Sequence, residues 1–314
     1  MSMTEGYPYD LLVITGPTAT GKTRLGALVA HRLGGEIISA DSRQVYRGMD
    51  IGTGKDLQDL VVEGERVPCH LIDIRDPGYR YNVYEFQQDF LEAYQDIRRR
   101  GRRPLLVGGS GLYIEAVLRG YRLIRVPVDP DFRATLEDKS MEELTRMLAS
   151  YKKLHNTTDI DTRKRAIRAL EIEHYYATHP DEQGGMPEIR AKVFVLYLDR
   201  EERRARITRR LQRRLREGMI EEVERLLRQG VDHETLQYYG LEYKYISLYL
   251  QGKLDRETMV KRLETAIHRF AKRQMTWFRG MERRGIPVVW VDGVLPEKEK
   301  EEMIVQGYLE KKRH

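Results

Sequence analysis

The chain has 314 residues, of which 40% are hydrophobic and 33% charged, a balance that suits a folded globular protein and excludes wholesale disorder. The one cysteine, Cys69, cannot form an internal disulfide, and no cysteine and histidine cluster has the spacing of a zinc site. The net charge of +6 favours a polyanionic partner. The sequence shows neither a signal-peptide pattern nor an apolar run long enough for a bilayer, so we expect a cytoplasmic protein with no membrane partner.

Short apolar runs recur along the chain and predict the strands of a sheet. They lie at residues 11–15, 36–40, 70–74, 104–108, 193–198 and 287–291. Helical patterns separate most of them, and Asn82 is the predicted N-cap of a helix that stops at Gly101. Apolar strands that alternate with helices are typical of a parallel sheet covered on both faces. The predicted fold class is therefore α/β, with a parallel sheet flanked by helices.

The strand pattern lapses between the fourth and fifth runs, where helical patterns predominate. We assign residues 121–190 to an inserted helical subdomain, and residues 1–120 and 191–314 to the core. Three basic helical patterns follow the insertion, near 200–217, 219–229 and 256–280. The first of them carries nine arginines against three glutamates. The tail, residues 297–314, is predicted to be a solvated helix with a frayed end.

A glycine-rich segment, "GPTATGKT" at residues 16–23, matches G-x-x-x-x-G-K-[ST] between a predicted strand and a predicted helix. The glycines let backbone N–H groups face one concavity, Lys22 adds a positive charge, and Thr23 can ligate Mg²⁺ as a cofactor. The motif predicts a P-loop NTPase-like core that binds a diphosphate or triphosphate. A tight turn that binds nothing is the alternative, and it leaves Lys22 without a role. The predicted phosphate-binding residues are Gly16, Thr18, Ala19, Thr20, Gly21, Lys22 and Thr23.

Two further polar segments follow predicted strands and should reach the same edge of the sheet. Asp41, Ser42 and Gln44 come after the second strand, and Ser110 follows a Gly-Gly pair after the fourth. Asp41 can accept a proton or hold a metal, although a turn or cap is the commoner role of a lone aspartate. Ser110 offers a hydroxyl at a helix start, where an N-cap is its alternative role.

Six motifs then occur in order along the chain: "GPTATGKT", "DSRQVYRGMDIGTGK", "HLID", "GRRPLLVGGSGLY", "RKRAIRALE" and "AKRQMTWFR". Together they closely resemble the tRNA dimethylallyltransferase (tRNA isopentenyltransferase) family, over about residues 11–279. The resemblance implies transfer of a dimethylallyl group from dimethylallyl diphosphate to the exocyclic N6 amine of the adenosine 3′ of the tRNA anticodon, by a bacterial-type enzyme. The glycine-rich loop would then hold the diphosphate that leaves.

The resemblance also implies roles for single residues. Asp41 matches the base that removes a proton from the adenine amine, and Arg210 matches an arginine near the diphosphate. Ser110 stands where the family usually has threonine and would contact tRNA or orient the reacting groups. The residues that it places against tRNA, together with Asp41 and Ser110, are Ser42, Arg43, Gln44, Arg133, Lys164, Arg165, Arg168, Tyr243, Lys244, Lys272, Arg273, Gln274, Trp277 and Arg279. From the residues alone, Trp277 could equally belong to the core, and the cations of the insertion to a solvated helix face.

The chain departs from the family pattern at three places. Cys69 precedes His70 where the family usually has a second histidine, "GTGKD" at residues 52–56 replaces "GTAKP", and "GLEYK" at residues 240–244 replaces "GYKE" or "GYRQ". These changes bear on RNA contacts near Tyr243. The alternatives to a tRNA prenyltransferase are a P-loop kinase or nucleotide-dependent switch, a prenyltransferase whose acceptor is a free adenine nucleotide, and an RNA-binding protein without catalysis. We expect a monomer.

Overall fold

The computed structural model of the protein describes residues 8–151, 160–180 and 185–310. A six-stranded parallel sheet forms its centre, with the strand order β5-β2-β6-β1-β7-β8. Its strands are β1 (Leu11–Thr15), β2 (Gly35–Ser39), β5 (Cys69–His70), β6 (Arg103–Gly108), β7 (Ala191–Tyr197) and β8 (Val288–Asp292). A separate antiparallel pair consists of β3 (Val61–Val62) and β4 (Glu65–Arg66).

Helices connect the strands and supply most of the remaining described structure. They are α1 (Lys22–Leu33), α2 (Val83–Arg99), α3 (Gly111–Leu118), α4 (Pro130–Ala134), α5 (Met141–Tyr151), α6 (Arg163–Thr178), α7 (Arg200–Arg216), α8 (Met219–Arg228), α9 (His233–Tyr238), α10 (Leu241–Leu250), α11 (Arg256–Arg283) and α12 (Glu297–Leu309). The Asn82 side chain accepts hydrogen bonds from the backbone N–H groups of Tyr84 and Glu85, which confirms the predicted N-cap of α2.

Both faces of the sheet are buried, as the apolar strands require. Leu12 and Ile14 of β1 face a core cluster that includes Leu25 of α1 and Ile304 of α12. Leu11, the neighbour of Leu12, is also fully buried and points to the opposite face, where α2 packs against β2 and β6. The predicted fold class is confirmed: this is an α/β protein with a parallel sheet flanked by helices.

The third predicted strand is much shorter than residues 70–74. The strand β5 ends at His70, because Leu71 and Asp73 both adopt positive φ angles of 62° and 56°. Such angles belong to turns and cannot continue an extended strand. The sequence pattern missed this bend since "HLIDI" is a mostly apolar run, as a buried strand would be.

The tail helix is a correction to the sequence prediction. Ile304, Val305 and Tyr308 of α12 are at most 6% exposed and belong to the main core cluster. The prediction of a solvated helix is therefore wrong, because one side of α12 packs against α1 and the sheet. The predicted frayed end, residues 311–314, lies outside the described residues.

Contacts divide the chain into two compact units. One comprises residues 1–120 and 187–314, and the other comprises residues 121–186, which overlaps the predicted insertion. The smaller unit has its own apolar core, to which Leu144 and Leu148 of α5 and Leu170 of α6 contribute. Part of the loop predicted to end the insertion, residues 181–184, lies outside the described residues.

Candidate active site

The loop between β1 and α1 leaves the first turn of α1 open to an anion. Gly21, with a φ of 79°, occupies the N-cap position and makes no side-chain cap to the N–H groups that follow. Gly16 has a φ of 152°, and a Cβ there would lie 2.6 Å from the Leu196 carbonyl oxygen, so a larger residue would clash. Lys22 Nζ lies 3.4 Å from the Pro17 carbonyl oxygen, which holds the ammonium against the loop. This geometry suits phosphate oxygens.

The predicted phosphate-binding residues do not all have free side chains or amides. Thr20 is 1% exposed, and its hydroxyl donates to the Pro17 carbonyl oxygen at 2.9 Å, so this side chain braces the loop. The backbone N–H of Thr18 donates to Gln274 Oε1 at 2.9 Å. Ala19 adopts a φ of 66°, which turns the chain between them. The N–H groups that follow Thr20 are therefore the better candidates for phosphate.

Gln274 of α11 joins the phosphate loop to the end of β6. Besides accepting from Thr18, its Nε2 donates to the Gly109 carbonyl oxygen at 2.9 Å. A Cβ at Gly109 would lie 2.8 Å from Gln274 Nε2 and 3.4 Å from Lys22 Nζ, so the absence of a side chain allows this close approach. Gln274 is 8% exposed and both ends of its amide are occupied. The structure therefore gives this predicted tRNA contact an internal, positioning role.

Asp41 and Ser110 lie on two loops that a network of hydrogen bonds holds together. The Ser110 N–H donates to the Ala40 carbonyl oxygen at 3.1 Å, and Ser110 Oγ accepts from the Ser42 N–H at 3.0 Å. Ser110 occupies the N-cap position of α3 but makes no side-chain cap, so the N-cap alternative does not account for its hydroxyl. Asp41 Oδ1 accepts from the Arg43 N–H at 3.0 Å. One carboxylate oxygen is thereby fixed at the edge of the sheet.

Arg210 of α7 reaches the phosphate loop from the other side. Its Nη1 donates to Thr18 Oγ1 at 3.3 Å, and its Nη2 donates to Asp56 Oδ2 at 2.8 Å. Burial lowers the pKa of Lys22 to about 8; the charge of Asp41 opposes this shift, and those of Arg210 and Arg214 add to it. The site thus brings Lys22, Arg210 and Arg214 together beside the Asp41 and Asp56 carboxylates, and these cations suit a bound polyphosphate.

Three residues that were not predicted as site residues also lie beside the phosphate loop. They are Asp56, Arg214 and Glu242. Arg214, one helical turn after Arg210, lines a small cavity of about 20 Å³ with Thr18 and Glu242. Asp56 pairs with Arg210, as described above. The spacing of four between Arg210 and Arg214 puts both side chains on one face of α7, a signal that the sequence did contain.

Comparisons with known proteins agree on one family. A family model described as IPP transferase matches residues 44–281, and one described as isopentenyl transferase matches residues 9–73. A tRNA dimethylallyltransferase 2 of Bacteroides fragilis is 58% identical over 95% of this chain and 97% of its own length. The chain belongs to the IPP transferase family.

Further members of the family share both sequence and fold with the chain. A tRNA dimethylallyltransferase 1 of Parabacteroides distasonis is 57% identical over 93% of this chain and 95% of its own length. The crystal structure of a full-length tRNA isopentenylpyrophosphate transferase from Bacillus halodurans superposes with a TM-score of 0.68, at 34% identity, and covers 96% of this chain and 97% of its own. These likenesses show that the P-loop-like architecture is that of the family.

On α11, the family-matched cations face solvent. Lys272, Arg273 and Arg279 are exposed. Trp277 is half-buried: its ring lies against Gly111, where a Cβ would be 2.3 Å from the indole, and the Arg284 guanidinium lies 5.6 Å from the ring centroid. One side of the Trp277 ring therefore packs within the fold, and part of the side chain remains accessible.

Tyr243 does not occupy a position from which it could contact RNA. It is 1% exposed, and its hydroxyl donates to Glu222 Oε1 at 2.7 Å. The ring lies against Gly52, where a Cβ would be 2.6 Å from the ring carbon Cζ. The predicted tRNA contact is thus corrected: burial beneath the "GTGKD" segment explains this tyrosine. Its neighbour Lys244 is exposed.

Arg43 and Gln44 follow Asp41 and have different surroundings. The Arg43 guanidinium lies 5.1 Å from the ring centroid of Tyr238, a tyrosine that is 43% exposed. Gln44 Nε2 donates to the Gly54 carbonyl oxygen at 3.2 Å. Arg43 therefore remains close to the surface, while Gln44 holds the "GTGKD" segment.

In the smaller unit, two of the predicted tRNA contacts are held by one buried carboxylate. Arg133 donates twice to Glu171, at 2.8 Å each, and Arg168 also pairs with Glu171. Burial would raise the pKa of Glu171, but hydrogen bonds from Arg133, the Asp129 N–H and Arg168 outweigh it and hold that pKa below its usual value. These arginines are both partly exposed, and Arg133 links α4 to α6 of the smaller unit through its ion pair with Glu171.

The other two family-matched cations of the smaller unit, Lys164 and Arg165, are exposed on α6. Arg165 pairs with Asp161, four residues earlier and just before α6 begins. Since exposed ion pairs of this kind contribute little to stability, both cations remain candidates for phosphate contacts.

Proposed function

We propose that the enzyme transfers a dimethylallyl group from dimethylallyl diphosphate to the N6 amine of the adenosine 3′ of the anticodon in tRNA, forming N6-(dimethylallyl)adenosine and diphosphate. The observation that carries this proposal is the meeting of a phosphate loop, Arg210 and the Asp41 carboxylate at the same edge of the sheet. The relatives reported above are named as tRNA dimethylallyltransferases, which favours this function over a kinase or a nucleotide-dependent switch.

The diphosphate is the leaving group of the reaction. As the amine nitrogen bonds to the allylic carbon, the carbon–oxygen bond breaks and its electron pair goes to the diphosphate oxygen. Lys22, Arg210 and the N–H groups at the start of α1 surround the position of this growing negative charge. Groups fixed in place before the reaction stabilise such charge without reorganising, and removal of one of them costs about 10²- to 10³-fold in rate.

Asp41 is the proposed general base. The adenine amine is a weak nucleophile because its lone pair is delocalised into the ring, so the N–H proton must leave as the new bond forms. The hydrogen bond from the Arg43 N–H orients the carboxylate, and Ser110 positions the same loop through Ser42. The proton passes from N6 to a carboxylate oxygen of Asp41, which balances the charge of the step.

Mg²⁺ is the proposed cofactor, and the described residues suit a site that takes one ligand from the protein. Within residues 8–151, 160–180 and 185–310, no group of three or more His, Cys, Asp or Glu side chains could hold a metal. Thr23, at the start of α1, would be the protein ligand, with phosphate oxygens and water completing the shell, as is usual for Mg²⁺. When bound, the ion would neutralise charge on the diphosphate.

The proposed acceptor is the tRNA anticodon loop, a single-stranded region from which a base can be extruded. The exposed cations of α11 and α6 suit its phosphates. No helix among the described residues is long and apolar enough to cross a membrane. A cytoplasmic monomer is the state that we propose for the enzyme.

The test is incubation of the purified protein with Mg²⁺, dimethylallyl diphosphate and unmodified tRNA from the native host, followed by mass spectrometry of the nucleosides. We expect N6-(dimethylallyl)adenosine next to the anticodon, and none with adenosine monophosphate as the acceptor. Turnover of ATP without prenyl transfer would favour the kinase alternative. Failure with every host tRNA would refute the proposal.

A further inference from the structure

The helix α7 carries a second arginine that the proposed reaction does not yet use. Arg214 is 6% exposed, yet its Nε and one of its Nη nitrogens are buried and donate no hydrogen bond in the part of the chain that the structure describes. A buried charge without hydrogen bonds costs several kcal/mol in general, so an unused guanidinium face calls for an external acceptor.

The nearby carboxylates attract the Arg214 guanidinium but leave two of its nitrogens without a hydrogen-bond acceptor among the described residues. Asp56 Oδ2 lies 3.9 Å from Arg214 Nη2 but 2.8 Å from Arg210 Nη2, so the hydrogen bond goes to Arg210. Glu242 acts on Arg214 through its charge, and burial raises the pKa of this glutamate. Burial and the neighbouring charge of Arg210 lower the pKa of Arg214 to about 10. Within the described ranges, two nitrogens of the Arg214 guanidinium therefore still lack an acceptor.

Arg214 lies next to the phosphate loop. Thr18 and Ala19 of that loop line the same small cavity as Arg210, Arg214 and Glu242. This cavity of about 20 Å³ is too small for a substrate, but it shows that only a narrow gap separates the guanidinium from the loop. An oxygen atom held by the loop would therefore lie close to Arg214.

Gly54 makes room for this arginine. A Cβ at Gly54 would lie 1.8 Å from Arg214 Nη2 and 2.6 Å from Arg210 Nη2, and its φ of 73° also favours glycine. Gly54, Asp56 and Glu242 all fall in the two segments, "GTGKD" and "GLEYK", where the chain departs from the family pattern. One local arrangement thus accounts for residues at two of the three places of departure: a missing side chain at Gly54 and the carboxylates of Asp56 and Glu242 surround a buried guanidinium.

We propose that Arg214 is a second guanidinium ligand of the diphosphate, acting beside Arg210. This inference rests on the proposed function, because it assumes that the phosphate loop binds a diphosphate. Asp56 and Glu242 hold the arginine pair in place before the ligand arrives, and a diphosphate oxygen then accepts from the unused N–H groups of Arg214. Since negative charge grows on the diphosphate during the reaction, Arg214 assists departure as well as binding.

The experiment measures the affinity of the full chain for inorganic diphosphate with Mg²⁺, by calorimetry, in matched variants. Arg214→Met removes the charge and keeps a long apolar side chain, whereas Arg216→Met removes an exposed charge from the same helix. We expect Arg214→Met to bind about 10- to 100-fold more weakly, as befits loss of a charge-assisted hydrogen bond. Arg216→Met should bind as the wild type does, and Arg214→Lys should recover part of the loss.

A second measurement separates binding from folding. Removal of a buried charge that lacks hydrogen bonds should leave the Tm of the free protein unchanged or raise it, so Arg214→Met should be at least as stable as wild type while binding diphosphate less well. A lower Tm with unchanged affinity would show a structural role and overturn the inference. If Arg214→Met failed to fold, equal affinities of Arg214→Lys and wild type would overturn it as well. Absence of binding to wild-type protein would instead refute the proposed function.

Discussion

The lowered pKa of Lys22 predicts that diphosphate affinity falls as the pH rises above neutrality. Burial and the charges of Arg210 and Arg214 bring this pKa from 10.5 to about 8, against the opposing charge of Asp41. A bound anion stabilises the ammonium, so binding above this pKa must take up a proton. Affinity is therefore highest below pH 8 and is lost above it.

The magnitude follows from the protonated fraction of Lys22. With a pKa of about 8 in the free protein, roughly nine in ten lysines are charged at pH 7 and roughly one in ten at pH 9. Binding should therefore weaken about tenfold between these values, provided that the anion keeps the lysine charged in the complex. At the ordinary pKa of 10.5, the same change in pH would have almost no effect.

The assay is calorimetric titration with inorganic diphosphate and Mg²⁺ at several pH values, on the wild type and on Lys22→Arg. The ligand itself titrates in this range, so the informative quantity at each pH is the affinity of the wild type divided by the affinity of Lys22→Arg. Arginine stays charged throughout. We expect this ratio to fall about tenfold from pH 7 to pH 9. A constant ratio would refute the argument that burial and the two arginines lower the pKa of Lys22.

Three further changes test other parts of the structure. Asp41→Asn keeps the size of the side chain but removes the base, so single-turnover prenyl transfer should slow by about 10²- to 10⁴-fold with little change in tRNA affinity; an equal rate would reject Asp41. Glu171→Gln leaves Arg133 and Arg168 without their carboxylate and should reduce hydrogen-exchange protection of α6 by about 1–3 kcal/mol, whereas the exposed Glu142→Gln should not. Ile304→Ala should cost about 2–5 kcal/mol in denaturant unfolding, and the exposed neighbour Met303→Ala should be nearly neutral. Equal costs for the last two would contradict the packing of α12.

The family itself could be named from the ordered motifs, and local chemistry made several parts of the fold and site predictable. The phosphate loop is a continuous segment whose glycines are required by its own backbone, as the φ of Gly21 shows. The strands that precede Asp41 and Ser110 are buried on both faces, and their apolar runs predicted the parallel sheet that brings their ends to one edge. The N-cap at Asn82 was likewise a local signal.

Only the tertiary structure showed which side chains are buried and which groups the long polar side chains contact. Tyr243 and Gln274 lie in family-matched segments, but only the packing of α10 and α11 shows that both side chains are turned inward. The tail looked solvated because charges dominate its first turns, whereas its apolar residues find α1 and the sheet only in the folded chain.

The arginines of α7 show most clearly which features the sequence determines and which depend on the tertiary structure. The sequence determined that nine of them crowd into one helix, and so that this part of the molecule is strongly basic. Which of them point at the phosphate loop is set by the face that α7 packs inward, through Ile207 and Leu211, and by the space that Gly54 leaves. Such contacts join residues more than 150 positions apart, as between Arg210 and Asp56, and local sequence patterns do not encode them.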